Sequence, residues 1–194
     1  MAANRPQLRI IEGDLSQSFP LAGFQLHICD IDARLPLSVE AQIVEQDTAM
    51  LLEEPTQIDA TLLQHNEGEG YHSLINEMLH QQRQYEVGSI ALREGTPERI
   101  MLVVHDLNQS PSWSEAGIKQ ALNTLFALLP RYRFNAIALP TLAHRHGKLP
   151  VERFLALLCE QMRERPPLWG GDIWIQVPRE ALASSVQTLQ RLSQ

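Results

Sequence analysis

The sequence predicts an α/β protein, a three-layer α/β/α sandwich with a mixed central sheet. Three observations lead there. Apolar runs of strand length alternate with helical stripes through the C-terminal half. The run Ala136-Ile-Ala-Leu139 is continuous, as in a strand covered on both faces, and Glu94-Gly-Thr-Pro97 joins two strand-like runs as a hairpin. The chain has 194 residues, of which 44% are apolar and 20% charged, which suits one sizeable soluble core. A single domain over 1–194 is therefore expected, with an irregular excursion at about 36–66.

The elements follow in order. Leu8-Arg-Ile-Ile-Glu12 and Phe24-Gln-Leu-His-Ile-Cys29 have the β-branched or alternating character of strands, with Gly13-Asp14 and Pro20 marking the turn between them. Within 36–66, Ala41-Gln-Ile-Val44 reads as a strand and Thr48-Ala-Met-Leu-Leu-Glu53 as a helical turn, but Pro36 and Pro55 leave the segment ambiguous. Leu74, Ile75, Met78 and Leu79 recur at helical spacing up to Gln81-Gln-Arg-Gln84. Gly88–Arg93 and Arg99–His105 form the predicted hairpin.

Ser112, followed by Glu115, gives a capping-box pattern ahead of the stripe Ile118, Leu122, Leu125, Phe126 and Leu129, which predicts a helix up to Pro130. Pro150 suits a first helical turn, and Val151, Phe154, Leu155, Leu158 and Met162 mark the buried side of the helix that follows. Ile173-Trp-Ile-Gln-Val177 predicts a last strand, and Leu182, Val186, Leu189 and Leu192 a last amphipathic helix.

Composition narrows the function. A formal net charge of −7 argues against general nucleic-acid binding, because phosphates reward clustered cations. The charge is unevenly spread: residues 1–80 hold 13 acids and three bases, a balance of −10, and the rest hold 10 acids and 13 bases, a balance of +3. A basic site on an acidic protein favours a small anionic ligand over a polyanion. No run of about 18 apolar residues is present to span a membrane, and Met1-Ala-Ala-Asn-Arg-Pro-Gln7 lacks the apolar core of a secretory signal, so a cytoplasmic location is expected. Cys29 and Cys159 show no CxxC spacing and read as buried free thiols.

The candidate site centres on Ala138-Leu-Pro-Thr-Leu-Ala-His-Arg-His-Gly-Lys-Leu-Pro150, which runs from a buried strand through a basic loop to a helix start. Such a turn is where an α/β protein usually holds a ligand. His144 and His146 are able to position phosphate or act as acid and base near neutral pH; the alternative is a solvated, histidine-rich loop. No metal is expected, because the sequence fixes no third ligand beside His144-x-His146. No cofactor is expected either. His105, at the end of an apolar run, reads as a hydrogen-bonded core or rim histidine. Asp30 lies beside Cys29, where its charge disfavours a reactive thiolate.

Several motifs together resemble a macro domain, the α/β/α module known for binding ADP-ribose. Ile11-Glu-Gly-Asp-Leu-Ser16 is similar to that family's first strand and its Gly-Asp-Ile-Thr ending, Val87-Gly-Ser-Ile-Ala91 with Met101–His105 to its central hairpin, and Ala138-Leu-Pro140 with Pro150 to its second phosphate loop. The resemblance implies an ADP-ribose-type ligand, with Asp14 accepting from the adenine amino group. It implies a binding set of Asp14, Gly68, Gly70, Thr141, His144, Arg145, Gly147 and Lys148. For hydrolysis, if present, it leaves Asp30, His144 or His146 to activate water. The chain departs from the family at three places: His27–Asp32 lacks the Asn-Ala-Ala-Asn segment, Glu67 and Glu69 enter the first phosphate loop, and Arg145 and Lys148 stand where the second has glycines. These departures carry the alternative reading, a non-catalytic interaction or regulatory module that has lost the ancestral site, like the related N-terminal domain of leucyl aminopeptidases. In that case a homo-oligomer or a protein partner is expected.

Overall fold

The computed structural model describes residues 9–11, 14–16, 18–50, 52, 85–164 and 170–193. The helical pattern around 74–84 and the segment 53–66 lie outside them. Two short strands, β1 (Arg9–Ile11) and β2 (Asp14–Ser16), pair antiparallel with Ile11 opposite Asp14. A seven-stranded sheet follows. Its members are β3 (Ser18–Leu21), β4 (Phe24–Asp30), β5 (Ala41–Asp47), β6 (Ile90–Arg93), β7 (Glu98–His105), β8 (Ala136–Pro140) and β9 (Asp172–Val177). In space they run β3-β4-β9-β8-β5-β7-β6. The five inner strands are parallel, and both edges are antiparallel hairpin arms, so the sheet is mixed as expected.

The β3–β4 arm was not visible in the sequence. Its turn, Ala22-Gly23, has both residues at positive φ (49° and 86°), the geometry that matches the twist of a tight hairpin. Pro20 is tolerated because β3 is an edge strand. The ambiguous 36–66 region contributes β5, a strand between β8 and β7. It extends three residues beyond the predicted Val44, and residues 48–50 after it form a turn with Met50 at φ 59°, whereas residues 51 and 53 of the helical turn expected at 48–53 lie outside the described residues.

Helix α1 (Glu115–Tyr132) packs on β7, α3 (Leu182–Leu192) packs on β4, and α2 (Val151–Glu164) lies between the two helices. One continuous core joins this layer to the sheet through Ile43, Leu102, Ile137, Ile175, Leu122 and Phe154. On the opposite face Val39 and Leu35 cover Ala138, Trp174 and Cys29. Met101 and Val103 are buried as well, so the inner strands are enclosed on both faces. Neither cysteine forms a disulfide; Cys159 is buried as expected, whereas Cys29 is only half-buried, and burial pushes the Cys159 thiol up to about 11.

The cap of α1 differs from the predicted one. Ser114, not Ser112, is the N-cap, and its hydroxyl accepts from Gly117 N–H at 3.0 Å. The helix also runs two residues past Pro130, which sits in its last turn. It ends at Arg133, left-handed at φ 57°, whose N–H donates to Leu129 O. Guanidinium–carboxylate bonds of 2.6 Å between Arg153 and Glu115 hold the first turns of α1 and α2 together.

Two substitutions test this packing by urea unfolding. Phe154→Ala, at a fully buried site, is expected to cost about 3–5 kcal/mol. Ser114→Ala removes one cap bond and is expected to cost about 1 kcal/mol.

Candidate functional site

The strand order creates a topological switch point. From β5 the chain continues toward the β7 edge, and from β8 it continues toward β9, yet β5 and β8 are neighbours. In open α/β sheets, ligands bind outside the carboxyl ends of strands at such a crevice. The elements meeting here are the exit of β5, the exit of β7 and the loop that follows β8.

At the exit of β5 the alternation that buries Ala41 and Ile43 carries Glu45 inward, leaving its side chain only 3% exposed. A carboxylate so placed needs partners. Its Oε1 accepts from Ala143 N–H at 2.7 Å and also bonds His105 Nε2. His105 is brought there by a register slip, since Gln46 pairs with Val103 but Asp47 with His105. On the other side of the ring, Nδ1 lies 2.7 Å from Ser112 Oγ. An ionised carboxylate only accepts, so the Glu45 bond puts the proton on Nε2 and leaves Nδ1 of the neutral ring to accept from the Ser112 hydroxyl.

The 141–150 loop closes over this cluster. Thr141 is buried and donates its N–H to Gln176 O, which ties the loop to β9. His144 donates its own N–H to Thr141 O and its Nδ1–H to Leu149 O at 2.8 Å, so the ring serves the loop itself. Ala143 and Lys148 both adopt left-handed backbone, at φ 57° and 60°. Trp113 packs beneath, donating Nε1–H to Gly147 O at 2.5 Å. A Cβ on residue 147 would sit 2.2 Å from Trp113 Cδ1, so glycine here is a matter of close approach.

With the backbone turned inward, Arg145, His146 and Lys148 are exposed. His146 stands edge-on to His105, ring centres 6.2 Å apart. Partial burial lowers its pKa below the usual histidine value, with Glu45 opposing the shift and Arg145 adding to it.

Thr141, His144, Arg145, Gly147 and Lys148 therefore share one loop, with His146 among them. Asp30 does not join them. It ends β4, where Oδ2 lies 3.3 Å from Arg179 Nε and Oδ1 accepts from Asp32 N–H. With β9 and β8 intervening, Asp30 is about 14 Å from the β5 exit at ordinary strand spacing. The backbone of Asp14 lies in β2, and Gly68 and Gly70 fall outside the described residues. Among the described residues no group of three His, Cys, Asp or Glu side chains is arranged to hold a metal ion, and no helix is long and apolar enough to cross a membrane.

Sequence reasoning missed Glu45 and assigned Ser112 to a cap. The available signal was the alternation Ala41, Ile43, Glu45, which places a carboxylate on an otherwise apolar face. It also missed a cavity of about 430 Å³ at the exits of β5 and β7, lined in part by Thr48, Tyr85, Glu86, Asp106 and Asn108.

No family model matches the sequence, and no curated protein matches it. Solved structures do match the fold. The macrodomain of Oceanobacillus iheyensis with ADP superimposes with a TM-score of 0.63 at 14% identity, covering 91% of this chain and 96% of that one. The macro domain of ganglioside-induced differentiation-associated protein 2 gives 0.56 at 11% identity, over 88% and 84% of the two chains. The macrodomain of Thermus aquaticus DarG gives 0.52 at 18% identity, over 79% and 98%.

Glu45→Ala strands His105 and the Ala143 N–H without their buried partner, and an expected loss of about 3–5 kcal/mol is checked by chemical denaturation. For His146 the lowered pKa means that the folded state prefers the neutral ring. Its contribution to stability is therefore present above the unfolded value near 6.5 and is lost as pH falls through the lower folded value. An NMR titration of the His146 ring is expected to give a midpoint below 6.5.

Proposed function

We propose that this chain, which has the macrodomain fold, binds a nucleotide-like, phosphorylated small molecule of the ADP-ribose type at the switch point between β5 and β8. The observation that carries the reading is the 141–148 loop, which presents Arg145 and Lys148 to solvent at the carboxyl end of the parallel strands. Among the described residues neither cation has a carboxylate within ion-pairing distance. Two structures of similar fold, the Oceanobacillus iheyensis macrodomain and a mutant of it, are complexes with ADP and with ADPR.

The binding set is Asp14, Gly68, Gly70, Thr141, His144, Arg145, Gly147 and Lys148. In it Arg145 and Lys148 take phosphate oxygens as charge-assisted donors. The loop backbone gives them a rigid base, because Trp113 and Glu45 fix it from below. The cavity at the β5 and β7 exits is lined by Glu86 and Asp106. Carboxylates there repel phosphate and suit the hydroxyl and amino groups of a sugar and base. His144 is committed to Leu149 O through Nδ1, so of the two loop histidines His146 is the one free to act on water.

A second reading, an interaction or regulatory module that has lost the ancestral ligand site, is favoured by one observation. Charged side chains, rather than open backbone, top the loop.

Calorimetry with ADP-ribose separates the two. The ligand reading expects saturable one-site binding, with Arg145→Ala and Lys148→Ala each weakening it about tenfold or more, as loss of a charge-assisted bond of about 1.5–3 kcal/mol requires. At about 100 times its dissociation constant the ligand also adds about 2.7 kcal/mol of stability. No heat and no thermal shift across a nucleotide panel at millimolar concentration rejects it. A stable oligomer or a co-purifying partner in that case supports the interaction module.

A further inference from the structure

We propose that Ser112, His105 and Glu45 form a nucleophilic triad able to cleave small carboxylic esters, with Ser112 as nucleophile, His105 as general base and Glu45 as the positioning residue. The triad is separate from the binding set of the 141–148 loop, and the proposal stands whether or not a nucleotide binds there.

Three chain-distant residues meet in one line: Glu45 on β5, His105 sixty residues later on β7, and Ser112 on the connection to α1. Glu45 is buried and acceptor-only, so it fixes the His105 tautomer with the proton on Nε2. The bare Nδ1, 2.7 Å from Ser112 Oγ, is then oriented to take the hydroxyl proton. The nitrogens are used in the opposite sense to a serine protease, but the roles are the same, and a triad is recognised by geometry and roles.

Burial of the base and exposure of the nucleophile run in the useful order. His105 is 1% exposed, whereas Ser112 is only half-buried, so the nucleophile lies on the solvent side of the base. Ser112 is also held in place, since its carbonyl accepts from Asp106 N–H at 2.6 Å. Helix α1 has its N-cap two residues further on, and the positive end of its dipole favours an oxyanion forming nearby.

In the first step Ser112 Oγ bonds to the acyl carbon as its proton passes to His105 Nδ1. The ester C–O bond breaks, and the departing alkoxide takes that proton and leaves as an alcohol. Water then attacks the acyl-serine, giving a proton to His105. The acyl–Oγ bond breaks with return of that proton to Ser112, and the carboxylic acid is released. The net reaction is ester plus water to acid plus alcohol.

A fluorophosphonate probe on the intact chain tests this, with the adduct mapped by peptide mass spectrometry. One adduct, on Ser112, is expected. It is absent in Ser112→Ala and unchanged in Ser110→Ala, an exposed serine on the same connection. Glu45→Gln keeps an oxygen that accepts from both Ala143 N–H and His105 Nε2–H, but removes the negative charge that stabilises the imidazolium formed as His105 takes the Ser112 proton. Labelling is expected to fall about 100-fold or more, with the thermal midpoint recorded alongside. A native chain that takes no label, a label that persists in Ser112→Ala, or an unchanged rate in folded Glu45→Gln overturns the proposal. Calorimetry with ADP-ribose reports separately on the nucleotide reading.

Discussion

A single carboxylate oxygen organises the carboxyl edge of the sheet. Glu45 Oε1 holds the end of β7 through His105 and the start of the loop after β8 through Ala143 N–H, so three neighbouring chain segments converge on one buried atom. The cost of burying a charge is met because both partners are donors and one is a ring that passes the bond on to Ser112. Without that bond, Ala143 would have little reason to adopt a left-handed backbone, and the loop would lose its floor.

The loop above shows what that floor permits. Its own carbonyls and amides are used internally, by His144, Lys148 and Leu149, and Trp113 fills the space beneath Gly147. The side chains of Arg145, His146 and Lys148 are consequently directed to solvent. The outer surface of the loop is therefore one of charged side chains. The acidic lining of the neighbouring cavity completes a surface divided into a cationic side and an anionic side within one strand edge.

Much of the fold was legible because local periodicity survives folding. The β6–β7 hairpin, α1, β8, α2, β9 and α3 all stand within a few residues of where apolar spacing placed them. The β3–β4 turn escaped because Ala22-Gly23 is a hairpin turn without the usual Asn-Gly signature. Strand β5 stayed ambiguous because its second half, Glu45-Gln-Asp47, is polar and yet buried, and composition alone reads such residues as surface. Ser112 was mistaken for a cap because serines two residues apart carry the same cap signal, and only the geometry shows Ser114 bonding to Gly117.

The sequence by itself determined the list of elements, the α/β class and the basic loop between Pro140 and Pro150, since each depends on residues a few positions apart. Tertiary structure decided which strands are neighbours. That choice separated Asp30 from the loop histidines, bound it to Arg179, and brought Glu45 to His105 and Ala143 across 60 and 98 residues of chain. Contacts of that span leave no periodic trace, because nothing in the spacing of residues along a strand records which other strand will lie beside it.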